Sequence, residues 1–357
     1  MLKKECQFLL DVISNSIDKD TQIDTKDIDW IELAGQACTH RLGGMLYLYI
    51  QNNKISNIPS GITYSLRRIC EAQDQRTLIF RKYIQELSAA ICQAGISHAF
   101  LKGSILSNTI YELGARSSND IDILINAEDI SLLEGVLSSL GFIQGEINGK
   151  SIEQLSRHEI IKRRMNWGET APYLKLTNEP TIQVISVDIN FSLDWLPTAT
   201  TDAVKKMLNR TKLYSLGDVD AFSLNEEDFL LHLCMHLFKE AVLFSQVIYG
   251  KDLGLYKFAD IYKLIYCWEI DWDVLVQKTM EYGIEKEVFF VFTQLMELFP
   301  TIGDMISLQI MEKLKPNELS YLDEVLSIAD KKTYLWKNTI LDRQFDKDRM
   351  NYLVELS

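Results

Sequence analysis

Two aspartates one residue apart, Asp120 and Asp122, open the apolar run Ile121-Asp122-Ile123-Leu124-Ile125. Alternation along a strand sends both carboxylates to one face, while Ile121 and Ile123 point into a core. Upstream, Ala99-Phe100-Leu101 ends at Lys102 and turns through Gly103-Ser104 into a helical pattern. Paired carboxylates beside a Gly-Ser helix start are residue types that hold divalent metal and phosphate. Gly103 lets the backbone approach a phosphate, and the Ser104 hydroxyl with nearby amides can donate to it. In phosphoryl or nucleotidyl transfer, charge spreads over the phosphorus oxygens. Two Mg²⁺ ions about 3.5–4 Å apart can stabilise the attacking and leaving oxygens together.

A third carboxylate should come from a neighbouring strand at a similar height. Asp188, in Val184-Ile185-Ser186-Val187-Asp188-Ile189, interrupts an apolar β-rich run where an unpaired charge is costly. Metal ligation removes that cost; pairing with an arginine would also do so. Asp194 is the competing choice, but it stands at a strand end before Trp195 and Pro197. An Asp-x-Asp alone means little: the same spacing recurs at Asp27-Asp29, Asp218-Asp220 and Asp271-Asp273. Those three read as helix caps or turn residues. Lys102 points either at phosphate or into solvent, and Arg116, in the turn before the acidic strand, is a phosphate or acceptor contact. Arg157, Lys162, Arg163 and Arg164 form a basic cluster that reads as a solvated face.

The LKG…R…DIDILI pattern resembles the nucleotidyltransferase superfamily built on the DNA polymerase beta-type catalytic fold, and within it a bacterial family of uncharacterised nucleotidyltransferases. Its sharp part covers roughly residues 95 to 195, with looser similarity to about Gly283. Carried onto this chain, the resemblance implies Mg²⁺, with Mn²⁺ as a substitute, held by Asp120, Asp122 and Asp188. It implies an NTP bound at Lys102, Gly103, Ser104 and Arg116. An NMP would pass to a hydroxyl or phosphate of a small-molecule, peptide or protein acceptor, releasing pyrophosphate, and Asp188 would activate the nucleophile. Fifteen residues separate Ser104 from Asp120, so the connecting turn is longer than in compact members. The same fold is also consistent with a catalytically idle binding module in a biosynthetic or toxin–antitoxin assembly, or with phosphoryl transfer.

The elements that must position these residues follow from periodicity. Helical spacing marks residues 1–17, 30–51 and 62–94, the last ended by Gly95 as a C-terminal cap. From residue 96 the period changes. Strand patterns at 98–101, 120–125, 157–164 and 181–191 alternate with helical stretches at 104–113 and 128–140, and 212–224 reads as a hairpin around Gly217-Asp218. Beyond Asn225 the pattern is helical: 226–244, 255–268, 272–282, 285–299, 303–314 and 317–329. The expected architecture is α+β, a polymerase beta-type core of a small mixed sheet with helices on one face. Residues 1–95 form a helical N-terminal arm, 96–224 the catalytic core and 225–357 a helical C-terminal domain expected to help select the acceptor.

Composition narrows the partners. The 357 residues are 47% hydrophobic and 24% charged, ordinary for a globular protein. No run of 18 apolar residues is present, so no membrane span is expected. The N-terminal stretch, interrupted by acids, reads as an amphipathic helix rather than a leader. Six widely spaced cysteines without a Cys-x-x-Cys pair suggest reduced thiols and a cytoplasmic location. A net charge of −13 disfavours bulk duplex nucleic acid, which is held by counterion release from Lys and Arg. His232 and His236 share a helix face, but the glutamate of His-Glu-x-x-His is absent. No Gly-x-Ser-x-Gly or P-loop pattern supports a hydrolase or P-loop reading.

Overall fold

The computed structural model describes residues 3–15, 25–197, 200–252 and 254–356. The chain divides into two compact units, residues 70–229 and residues 1–69 with 230–357. Helices α1 (Lys4–Asn15), α2 (Trp30–Thr39) and α3 (Gly43–Asn52) come first. The Asp29 carboxylate accepts from the Ile31 and Glu32 N–H groups at the start of α2, a cap worth about 1 kcal/mol. The pattern at 30–51 predicts one helix, but Arg41 adopts φ 57° and the chain reverses there. Gly43 then packs against Ile69 on α4 (Ser60–Gln93).

The 70–229 unit is built on an eight-stranded mixed sheet. In chain order its elements are β1 (His98–Phe100), α5 (Gly103–Thr109), β2 (Ile121–Ile125), α6 (Ile130–Ser139), β3 (Ile143–Asn148) and β4 (Ser151–Gln154). There follow α7 (Arg157–Asn166), β5 (Tyr173–Glu179), β6 (Ile182–Asn190), α8 (Thr201–Leu208), β7 (Lys212–Ser215) and β8 (Asp220–Ser223). Strand order is β4-β3-β5-β6-β2-β1-β8-β7. Every residue of β2 is buried, as expected of a central strand covered on both faces. β2 runs antiparallel to β1 and parallel to β6. The predicted hairpin is β7–β8, with Gly217 at φ +81°.

One predicted strand is a helix. Residues 157–164 form most of α7, which begins at a capping box in which Ser156 and Glu159 satisfy each other's backbone donors. The β-branched Ile160-Ile161 pair between basic residues imitates strand alternation, and the cap decides the outcome. Strands β3 to β5 and helix α8 have no counterpart among the elements read from the sequence.

The other unit resumes at residue 230, within α9 (Glu226–Val242), and continues with α10 (Phe244–Ile248), α11 (Leu255–Cys267), α12 (Trp272–Tyr282), α13 (Glu285–Leu298) and α14 (Leu308–Leu314). Asp271 caps α12, and Gly283 closes it in the left-handed conformation. The expected helix at 317–329 does not form. A 3-10 turn leads instead into β9 (Glu324–Ser327), followed by β10 (Lys332–Trp336), α15 (Ile340–Phe345) and β11 (Leu353–Glu355). The three strands make an antiparallel sheet ordered β11-β10-β9. Val325 and Trp336 bury against Val247 of α10, and Phe244 stacks on Tyr334 at 4.5 Å. Large alternating side chains in this segment outweigh its helical spacing. Among the described residues no helix is long and apolar enough to cross a membrane, and all six cysteines are unpaired.

Candidate functional site

The parallel ladder between β2 and β6 sets Asp122 directly opposite Asp188, with Leu124 opposite Asn190 two steps on. Both aspartates therefore project from one face at the same height. Asp194 lies beyond the strand, where its carboxylate accepts from the Trp195 N–H at 2.6 Å. Register thus selects Asp188 over Asp194 as the neighbour of Asp122. Asp120 stands just before β2, and its charge is felt by Asp188 and by Arg76.

Lys102 ends the turn after β1 and points neither into solvent nor at open space. Its ammonium donates to Asp122 Oδ1 at 2.7 Å, with the lysine side chain 16% exposed and the aspartate 5%. The amide of Asn190 approaches the same oxygen at 3.5 Å, and the Ser186 hydroxyl donates to Asp188 Oδ1 at 3.1 Å. Burial first, then the negative charges of Asp122, Asp120 and Glu169, push the Asp188 carboxyl up to about 7; Lys102 pulls the other way. A carboxylate in this state takes up a proton near neutrality.

The lysine is held in a costly conformation. Lys102 has φ 47° and ψ −122°, a region that side-chain-bearing residues rarely enter and that costs about 1–3 kcal/mol. Gly103 follows, and a Cβ there would lie 2.1 Å from Ser118 Oγ and 2.4 Å from Arg116 Nη1. The glycine thus makes room for a hydroxyl and a guanidinium carried by the turn before β2. Arg116 is buried, and Arg76 fastens the same turn by donating to the Ser118 carbonyl at 3.3 Å and Asn119 Oδ1 at 3.1 Å.

Ser104 is 1% exposed, and its hydroxyl has no hydrogen-bond partner. Its N–H already donates to the Leu101 carbonyl at 3.1 Å. Any contribution of Ser104 to an anion would therefore come from Oγ rather than from its amide. Lys102, Gly103, Ser104, Arg116 and the aspartates, all expected from the sequence, lie in the 70–229 unit. Arg76, Asn190 and Glu169 carry no expectation from the sequence. For Asn190 a signal existed, since it lies two residues from Asp188 and so on the same strand face.

Asp122 and Asp188 form a pair rather than a closed cage: among the described residues no three His, Cys, Asp or Glu side chains converge as metal ligands. This suits Mg²⁺, which is commonly held by one or two carboxylates with waters and substrate phosphates completing its octahedron. The pair already draws a cation in the ammonium of Lys102, so its donor set fits a divalent ion. The basic cluster Arg157, Lys162, Arg163 and Arg164, read from the sequence as a solvated face, lies on α7, which has no buried residue. His232 is buried on α9, and His236 Nε2 lies 3.4 Å from Glu240 Oε2.

One solved structure, an antigenic nucleotidyltransferase-like protein from Paracoccidioides brasiliensis, aligns with 66% of this chain and 92% of its own, at 11% identity and a TM-score of 0.41. No curated protein matches the sequence. Residues 26–300 match the family described as uncharacterised nucleotidyltransferase, a span that includes every candidate site residue. By that match, the chain belongs to the uncharacterised nucleotidyltransferase family.

Proposed function

We propose that the protein is a Mg²⁺-dependent nucleotidyltransferase, with residues 96–224 carrying the chemistry. The observation that carries this reading is the cross-strand pairing of Asp122 with Asp188 beside the Lys102–Gly103–Ser104 turn. Asp122 and Asp188, with Asp120 at the strand entrance, would hold Mg²⁺ or Mn²⁺. The bound ion would supply Lewis-acid stabilisation of the triphosphate. Ser104 Oγ and the Arg116 guanidinium, gathered around Gly103, would orient the phosphates of an NTP. Lys102 would leave Asp122 for a phosphate oxygen, exchanging one anionic partner for another.

In the transfer step Asp188 serves as the proton acceptor. An acceptor hydroxyl gives its proton to the Asp188 carboxylate as its oxygen bonds to the α-phosphorus. The bond from that phosphorus to the bridging oxygen breaks, and pyrophosphate carries away the electron pair. The acceptor belongs to the small-molecule, peptide or protein class, and six unpaired cysteines support a reducing, cytoplasmic setting.

Calorimetric titration with Mg²⁺ and each NTP tests the reading. Wild-type protein should bind at least one NTP at micromolar levels only with the metal. Asp122→Asn with Asp188→Asn should lose that metal-dependent part. Equal binding by the double variant would contradict the assignment.

A further inference from the structure

Helix α7 has no buried residue. A 10-residue helix is marginal in water without tertiary packing, and its capping box contributes only part of what is missing. At 100° per residue, Arg157, Ile161, Arg164 and Met165 fall on one face. All four are exposed, Met165 at 73% and Ile161 at 46%. Arg163 turns the other way and pairs with Glu146 of β3. The outward stripe is therefore basic and apolar together, on a chain whose net charge is −13.

The helix also leads straight to the candidate site. After Asn166 the chain reaches Glu169 within about 11 Å by its maximum extension. Glu169 pairs with Asn190, and the Thr170 N–H donates to the Ile189 carbonyl at 2.9 Å. Gly168 is seated against the turn after β6: a Cβ there would lie 2.3 Å from the Asp194 carbonyl oxygen. The last turn of α7 is thus fixed beside the strand end that carries Asp188.

We propose that the Arg157–Ile161–Arg164–Met165 face of α7 docks an acidic protein segment with apolar anchors, and that this segment is, or carries, the acceptor for transfer at Asp188. The proposal rests on the nucleotidyltransferase reading above. Charge complementarity selects the partner's sign, since an acidic segment is repelled by most of this surface and attracted at α7. Exposed aliphatic side chains select a protein partner over single-stranded nucleic acid, whose bases favour aromatic platforms. The nearby aromatic, Trp167, lies past the end of the helix in extended backbone and is not part of this stripe.

Fluorescence anisotropy with the full chain tests the proposal. The probes are a labelled 14-residue peptide of glutamates with leucine at every fourth position, the same peptide with lysine for glutamate, and a 14-nucleotide oligouridine. The acidic peptide should bind at least tenfold tighter than either other probe and weaken as salt rises. Arg157→Gln with Arg164→Gln, and separately Ile161→Ser with Met165→Ser, should each cost tenfold, with unchanged circular dichroism. Asp122→Asn with Asp188→Asn should leave peptide binding intact, so failure of the docking surface and failure of the catalytic assignment are read separately. Tighter binding of oligouridine, indifference to both α7 variants, or a dimer that the Ile161→Ser and Met165→Ser pair dissociates would each overturn the proposal.

Discussion

Lys102 and Asp122 form an ion pair at 2.7 Å, largely shielded from water, between the turn after β1 and the strand that carries the acidic residues. The lysine neutralises the carboxylate set most in need of a cation. It does so from a backbone conformation, φ 47°, that a glycine would adopt at far lower cost. Persistence of such strain where the surrounding structure fixes it is a common property of functional turns.

Replacing that lysine separates charge from strain. Lys102→Met should lower stability by about 3 kcal/mol at pH 8, because it leaves buried carboxylates uncompensated. The penalty should shrink at pH 5. A carboxyl raised to about 7 in the fold, from 3.8, contributes stability that declines as pH rises from about 4 to 7. At pH 5 the Asp188 carboxyl carries a proton, so the site holds one negative charge fewer for the missing ammonium to offset. Lys102→Gly should be about 1–2 kcal/mol more stable than Lys102→Met by release of backbone strain. Thermal melts of both variants at the two pH values check this ordering.

Gly103→Ala should spare the fold and injure binding. Its methyl group would collide with Ser118 and Arg116, side-chain neighbours that can shift at an overpacking cost of about 1–3 kcal/mol. A displaced Arg116 guanidinium should reduce Mg-NTP affinity at least tenfold while the melting temperature falls only a few degrees. Titration calorimetry beside a melting curve distinguishes this from general unfolding.

Acid should destabilise the unit containing α2 and α11. His40 is buried, receives the Leu255 N–H at 3.4 Å and meets the Phe345 ring edge-on. Burial, then the charge of Arg349, pushes it down to about 4 from 6.5. A base depressed in the fold is protonated first in the unfolded chain. Stability therefore falls as pH drops from 6.5 to 4, by about 3 kcal/mol over the window. His98, also depressed by burial, gives the 70–229 unit a response of the same sign. His40→Gln should flatten the slope of melting temperature against pH in this range.

The C-terminal segment should depend on a second buried pair. Arg349 makes two bonds to the Asp252 carboxylate, at 2.6 and 2.5 Å, and Asp252 is fully buried. Asp252→Ala leaves the guanidinium without its partner and should cost about 3–5 kcal/mol. Chemical denaturation midpoints at constant m-value would show it.

Much of the site was legible because its chemistry conflicts with its surroundings. Asp188 inside an apolar β-run, and Asp120-Ile121-Asp122 after a Gly-Ser turn, each demand a compensating cation. What those residues touch was not legible, because pairing between β1, β2 and β6 depends on register across about ninety residues. The Lys102–Asp122 bond and the grip of Arg76 on the 118–119 turn arise only there. α7 was open to reading: Ser156 and Glu159 spell a capping box, yet Ile160-Ile161 drew the reading toward a strand. In the last segment, Tyr334 and Trp336 alternate as strand residues do, but their partners, Glu355 and Leu353, lie some twenty residues away.

The most direct test of the account is a crystal structure with Mg²⁺ and an NTP analogue that cannot be cleaved between its α- and β-phosphates. The account predicts a metal ion bound by Asp122 and Asp188, the triphosphate beside Ser104 and Arg116, and Lys102 moved from Asp122 onto a phosphate. A nucleotide bound elsewhere, or none at saturating concentration with the Lys102–Asp122 pair intact, would contradict it.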